Sequence, residues 1–300
     1  MFFMHAVFAM SVLSSAIICQ NTRLAENSND RGVEFLKSGN YDGAIMEFTK
    51  AIELTSRFKS NTDVSSKVPD NGIRVIDPRT AKSLVNRGNA YFAKNEIDKA
   101  VEDFTLAISI APGNVEAYVA RGTIWLIRKE LTLALNDYEK GLKLDANSVK
   151  CYFGRGLTRL NIGDAKGALE DFDHAVKLEP KNVDTYYYRG DARRVLKDYD
   201  GALADFDKAL QMNSKSALPY FGRGNLKFYK TDFEGAIADF TMALRFDEQM
   251  AQAYKNRGYA YFMLGRHDDA DKEFRTTTKL APYFAAEIEA TLIVMKSWKK

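Results

Sequence analysis

Small and aromatic residues recur along this chain at fixed separations from an Arg-Gly pair. In the stretch 183–216 the glycine is Gly190, and Ala202, Phe206 and Ala209 follow it by 12, 16 and 19 residues. From Gly88 onward the same set returns every 34 residues, and a fixed period of this length predicts a solenoid of stacked units. The Arg-Gly pairs are Arg31-Gly32, Arg87-Gly88, Arg121-Gly122, Arg155-Gly156, Arg189-Gly190, Arg223-Gly224 and Arg257-Gly258.

The spacing predicts two antiparallel helices in each unit, joined by a short turn. A glycine on the first helix and an alanine on the second let the two backbones approach closely, and the aromatic residue fills the space beside the neighbouring unit. Glycine inside a helix costs roughly 1 kcal/mol relative to alanine, so its return in every unit requires such a packing reason. We therefore expect the alanine and aromatic positions to form the core.

This pattern resembles the tetratricopeptide repeat (TPR) family, whose units carry small residues and an aromatic residue at these relative positions. The resemblance covers residues 25–282. It implies an all-α fold: a right-handed α-solenoid of seven TPR-like helix-turn-helix units, in which the first helix of each hairpin lines a concave groove. Residues 283–300 have apolar positions at helical spacing and are expected to form a C-terminal capping helix.

The period breaks once, between the first two units. The separation of Gly32 and Gly88 exceeds one period by 22 residues, and the excess lies in an insertion at 59–80. Within it Ile73 to Ile76 could form a short strand, and Pro78 is expected at the first position of the next helix. Insertions into repeats map to loops that are often functional, but this polar composition is also typical of a tolerated, flexible segment.

Residues 1–18 are almost wholly apolar or small and carry no Lys, Arg, Asp or Glu. They predict a secretory signal peptide over 1–19. A short membrane anchor is the alternative, because no basic residue precedes the apolar run; a mis-assigned start or a helix that covers the first unit also stays open. A signal peptide implies an exported protein, periplasmic in a bacterium or secreted, and membrane-anchored if the leader is uncleaved.

Composition is informative mainly about the classes of function that it excludes. The net charge of +3 is too small to argue for nucleic acid or an anionic membrane surface. The two cysteines and three histidines have neither metal-ligand nor nucleophile spacing, and packing explains the glycines without a phosphate-binding loop. The sequence therefore predicts no enzyme activity, no catalytic residue, no metal and no cofactor.

An acid follows the arginine of every Arg-Gly pair by 16 residues. One interpretation is a row of cations for an acidic partner. The other, favoured by the matching number of acids, is a ladder of arginine–carboxylate pairs between helices, because the guanidinium fork suits bidentate pairing. The sequence leaves open which repeat supplies the acid for each arginine. The acids are Glu47, Asp103, Asp137, Asp171, Asp205, Asp239 and Glu273.

The resemblance places a candidate binding surface on the first helices, at positions three before, one after and four after the glycine. These positions are aromatic or apolar with scattered amides and charges, which would suit an extended peptide or a partner helix. The alternative is that the rings pack between adjacent hairpins. The candidates are Phe153, Tyr187, Asp191, Arg194, Phe221, Asn225, Phe228, Lys255 and Tyr259.

The sequence therefore predicts a non-catalytic adaptor whose partner is another protein, bound as a peptide or a helix. Two alternatives belong to other classes: a self-assembling structural protein, and an RNA-binding helical-repeat protein. The near-neutral charge argues against RNA. The oligomeric state is left open, and stable membrane insertion is not expected unless the leader is retained.

Overall fold

A computed structural model describes residues 2–56 and 78–297, with side chains for 19–56 and 79–293. The described residues are helical, with short turns and no strand, which confirms the all-α prediction. The α-helices are α1 (Phe2–Lys37), α2 (Tyr41–Ser56), α3 (Pro78–Ala93), α4 (Ile97–Ile110), α5 (Val115–Ile127), α6 (Leu131–Leu144), α7 (Val149–Ile162), α8 (Ala165–Leu178), α9 (Val183–Val195), α10 (Tyr199–Met212), α11 (Ala217–Tyr229), α12 (Phe233–Phe246), α13 (Ala251–Met263), α14 (His267–Leu280) and α15 (Ala285–Ser297).

Helices α1 to α6 form three consecutive hairpins, and α9 to α14 form three more. Among α1 to α14, we call the odd-numbered first helix of each repeat its A helix and the even-numbered second helix its B helix. The chain divides into two compact units, Met1–Thr158 and Arg159–Lys300. We call them unit 1 and unit 2. In unit 2 helix α11 contacts α9 and α13, so A helices of consecutive repeats lie side by side.

The recurring alanine and aromatic positions are the core of both units. Ala100, Phe104 and Ala107 in repeat two, and Ala202, Phe206 and Ala209 in repeat five, are at most 1% exposed. A Cβ atom added to Gly190 would lie only 2.8 Å from the ring of Phe206, so glycine is needed where the B-helix ring crosses the A helix. The packing explanation of the Arg-Gly column is confirmed.

Two repeats have a further glycine two residues before the Arg-Gly glycine, and its role was not predicted. Gly222 on α11 faces the ring of Phe206 from the preceding repeat, where an added Cβ atom would lie 2.7 Å from the ring. Gly154 faces Tyr138 in the same way. A core ring therefore packs between two A helices, and this contact joins consecutive hairpins.

The turn inside every hairpin contains one residue with left-handed backbone, seven positions after the glycine. Glycine occupies it in three repeats, but Asn95, Lys129, Lys197 and Thr231 adopt the same conformation with φ of 62° to 65°. The next helix is capped by an Asp or Asn side chain in several repeats: the Asp198 carboxylate accepts from the Gly201 amide at 3.0 Å. Local capping and tertiary packing together hold Thr231 in the left-handed conformation, which is unfavourable for a residue with a branched side chain.

The two ends differ from the internal repeats. Helix α1 runs without a break from Phe2 into repeat one and includes the polar residues 21–30. Helix α3 begins at Pro78, as expected, whereas Ile73 to Ile76 and most of the insertion lie outside the described residues. A short 3₁₀ helix, Pro282–Phe284, leads into α15, where Ile288 is buried. No helix in the described part of the chain is long and apolar enough to cross a membrane.

Candidate functional site

The arginines of the Arg-Gly pairs bind the acids predicted to accompany them. Arg87 donates from Nε and Nη2 to the two oxygens of Asp103 at 2.8 and 2.7 Å. Arg223 binds Asp239 with the same bidentate geometry, at 2.9 and 2.7 Å. The acid belongs to the same repeat, which settles the question that the sequence left open. The ladder interpretation is confirmed for these pairs.

In several of these arginines the remaining nitrogen donates to a side chain of the preceding repeat. Arg87 Nη1 donates to Thr49 Oγ1 at 3.1 Å, and Arg223 Nη1 donates to Asp207 at 2.6 Å. In repeat four a second arginine of the A helix, Arg159, binds Asp171 at 2.9 Å, as Arg193 binds Asp205 in repeat five. Arg87 and Arg223 each join two B helices, and both charges are paired within the fold.

The candidate aromatic residues of unit 2 pack on the core rings of their own hairpins. The ring centroid of Tyr187 lies 5.9 Å from that of Phe206, and the Phe221 ring lies 6.0 Å from that of Phe240. Phe228 packs edge-on against Phe233 at 5.3 Å. All three candidates are half-buried, and burial raises the pKa of the Tyr187 hydroxyl well above its ordinary value. These rings therefore form a shallow apolar surface and do not project from the A helices as separate side chains.

The polar candidates Asp191 and Arg194 form an ion pair along α9, with a carboxylate–guanidinium distance of 2.7 Å. Asn225 on α11 accepts a hydrogen bond at 2.7 Å from Asn256 Nδ2 on α13. The amide NH2 of Asn225 and the carbonyl of Asn256 have no partner in the described chain. A peptide backbone offers a carbonyl acceptor and an N–H donor. The NH2 group of Asn225 complements the first, and the carbonyl of Asn256 complements the second.

The last two candidates, Lys255 and Tyr259, contact the C-terminal helix. Lys255 Nζ lies 2.8 Å from Glu287 and 4.1 Å from the ring centroid of Phe284. The Tyr259 hydroxyl donates to Thr291 Oγ1 at 3.4 Å. Helix α15 therefore covers the end of the candidate surface as an additional A helix would.

Unit 1 contains the remaining candidate, Phe153, which is half-buried on α7. A small cleft of about 210 Å³ lies nearby, between α3 and α5. Its floor includes Phe92, Phe104 and Val119, and the amide of Asn89 has no partner in the described chain. The cleft thus combines an apolar floor with one polar group.

The described cysteine and histidine side chains offer little support for catalysis. Cys151 is completely buried, and burial raises the pKa of its thiol, which disfavours the nucleophilic thiolate. His267 lies against the Phe262 ring at 4.8 Å. Among the residues whose side chains are described, no three His, Cys, Asp or Glu groups come together as metal ligands would.

Three residues that shape this surface were not predicted from the sequence: Asn256, Glu287 and Thr291. Asn256 occupies the position of Gly222 in the preceding repeat, and this position varies from glycine to tyrosine along the chain, so no pattern marks it. Glu287 and Thr291 follow Lys255 and Tyr259 by 32 residues, and only the packing of α15 shows that they meet.

Comparison with known families matches the models described as tetratricopeptide repeat at residues 81–114, 153–217 and 221–283, together more than half of the chain. No curated protein sequence matches.

Solved structures share the fold at low sequence identity. A tetratricopeptide repeat protein from Parabacteroides merdae has a TM-score of 0.67 and 20% identity, over 91% of this chain and 99% of that one. PilF of Pseudomonas aeruginosa has a TM-score of 0.58 and 18% identity, over 69% of this chain and 97% of that one. A structure of the APC/C hetero-tetramer Cut9–Hcn1 has a TM-score of 0.62 and 19% identity, over 86% of this chain and 46% of that one.

Proposed function

Because the chain belongs to the tetratricopeptide repeat family, we propose that it is a non-catalytic adaptor that binds a peptide or a partner helix on the A helices of unit 2. Proteins of this family generally mediate protein–protein interaction, and the fold is typically a scaffold without catalysis. We call the proposed surface the A-helix face; it consists of the candidate residues on α9, α11 and α13.

The amide pair Asn225–Asn256 is the observation that supports this proposal best. Its hydrogen bond fixes both side chains, and it leaves one donor group and one acceptor group without an internal partner. Fixed amides lose little conformational freedom when they bind, so their hydrogen bonds to a peptide backbone contribute more to affinity.

The neighbouring rings supply the apolar part of the surface. Phe221 and Phe228 are half-buried against core rings, which holds them in place while part of each stays accessible. Rigid aromatic side chains bury much area at little entropic cost. The ion pair of Asp191 and Arg194 adds a polar edge that would favour one orientation of the bound chain.

Export of the adaptor stays a prediction that depends on the apolar residues 1–18. It would place the partner in the periplasm or outside the cell.

The proposal is tested with peptides selected from a displayed library against the full chain. Substituting Asn225→Ala should weaken the selected peptides by roughly tenfold, because two backbone hydrogen bonds of about 0.5–1.5 kcal/mol each depend on the amide pair. Lys208→Ala on the exposed side of α10 is the matched control and should leave affinity unchanged. Isothermal titration measures both.

A photo-crosslinking amino acid at Phe221 gives an independent readout, with Lys208 again as the control position. Crosslinks from Phe221 alone would support the A-helix face. If the peptides crosslink only from Lys208, or if Asn225→Ala and Lys208→Ala behave alike, the proposed surface is wrong.

A further inference from the structure

A cleft of about 440 Å³ lies in unit 1, between α1 and α3. This volume is within the range of small-molecule sites, which is about 300–1,000 Å³. The cleft is far in sequence from the A-helix face and uses none of its residues. Its lining is polar and charged, in contrast to the apolar floor of the cleft between α3 and α5.

Asn29 lines this cleft. The residue is only 7% exposed, and its carbonyl oxygen accepts hydrogen bonds from Ser83 Oγ at 3.3 Å and Asn86 Nδ2 at 3.0 Å. These two donors fix the orientation of the amide and leave its NH2 group without a partner in the described chain. The NH2 nitrogen is not fully enclosed, so an acceptor in the cleft can reach it. A donor that is already fixed loses little conformational freedom when an acceptor binds to it.

The two helices that line the cleft, α1 and α3, carry opposite charges. Helix α1 contributes Glu26 and Asp30, which are four residues apart and share one face of the helix. Helix α3 contributes Arg79 and Lys82. Within the described chain Glu26, Asp30 and Lys82 form no ion pair, so the carboxylates do not neutralise Lys82 across the cleft.

We propose that this cleft binds a small zwitterion of the amino-acid class, a free amino acid or a short peptide. The ligand's carboxylate would accept from the Asn29 NH2 group and lie beside Lys82. Its ammonium group would lie beside Glu26 and Asp30. One molecule with both charges complements both walls and the Asn29 NH2 group together, whereas a simple anion or cation would be attracted by one wall and repelled by the other.

The test uses the full chain and L-alanyl-L-alanine as the probe, measured by isothermal titration. The N-acetylated dipeptide lacks the cation, and the dipeptide amide lacks the anion. Each cap should weaken binding at least about tenfold, because each removes one charge-assisted contact. L-Alanine, measured in parallel, shows whether one residue is enough or a peptide is required.

Lys82→Gln should weaken the uncapped dipeptide about fivefold or more and have no further effect on the dipeptide amide, which lacks the carboxylate. Lys143→Gln, an exposed lysine on α6, makes the same charge change elsewhere in unit 1 and should have no effect. Capped and uncapped peptides of equal affinity, equal behaviour of the two lysine variants, or no saturable binding of the uncapped dipeptide would each overturn the proposal. None of these results depends on the A-helix face in unit 2.

Discussion

At the scale of single residues, the core aromatic position differs in one repeat. Tyr138 stands where most repeats have phenylalanine, and it is 1% exposed. Its hydroxyl forms a hydrogen bond of 3.2 Å with Thr123 Oγ1. Burial raises the pKa of Tyr138 to about 12, although the Thr123 hydroxyl acts in the opposite direction.

This pKa predicts an alkaline transition. An unfolded tyrosine has a pKa of about 10, so the folded protein holds this proton more tightly. The resulting stability is complete below about pH 10 and is lost as the pH rises towards 12, with a loss of roughly 2 kcal/mol. Urea unfolding as a function of pH measures it.

Tyr138→Phe is the matched variant for this transition. It removes the titrating hydroxyl and keeps the ring, so its free energy of unfolding should fall less steeply than that of the natural protein above pH 10. Parallel curves for the two proteins over that range would contradict the assignment.

At the scale of secondary-structure elements, the arginine–acid network holds the hairpins together. Asp205 on α10 accepts from Arg189 through both oxygens, at 3.0 and 2.5 Å, and from Arg193 at 2.7 Å. Its side chain is 3% exposed, whereas Asp207 on the same helix is 43% exposed and binds Arg223. The two acids thus differ in burial and in the number of bonds.

Asp205→Asn should lower the free energy of unfolding by about 2–4 kcal/mol, because it leaves buried guanidinium donors without a charged acceptor. Asp207→Asn should cost less than about 1 kcal/mol, as exposed ion pairs do. Urea denaturation followed by circular dichroism compares the two. Equal losses would mean that burial does not control the strength of this network.

At the scale of the whole molecule, stability in a solenoid is a sum over neighbouring repeats, so damage at one end should stay local. Helix α15 allows a test of this expectation. Ile288 is 5% exposed and packs near Phe274, while Ile293 on the same helix is 63% exposed. Loss of the buried contact should release the last repeat before others.

Ile288→Ala should destabilise the C-terminal repeat by about 2–4 kcal/mol. Hydrogen exchange followed by mass spectrometry should show faster exchange in α13, α14 and α15 and unchanged protection in α9 and α10. Ile293→Ala is the control and should leave both regions unchanged. A uniform loss of protection through α9 to α15 would show that unit 2 unfolds as one cooperative body.

The recurrence of an arginine and an acid 16 residues later predicted a ladder of ion pairs, but the structure decided that each acid comes from the arginine's own repeat, as in Arg223 and Asp239. Asn29 and Asn86 are 57 residues apart across the insertion, and nothing in the pattern predicted their contact. The candidate rings were located by sequence, but only packing showed that core rings hold Tyr187 and Phe221.

The sequence by itself determined the repeat, its core positions and the recurrence of an arginine with an acid. Each of these is a regular spacing, and a spacing that returns in every unit predicts the same role in every unit. The tertiary structure decided which polar groups are left without partners. The amide NH2 groups of Asn225 and Asn29 are left without an internal partner by the side-by-side packing of consecutive A helices. That packing depends on side chains from different repeats, and its unsatisfied groups become visible only when every neighbour is in place.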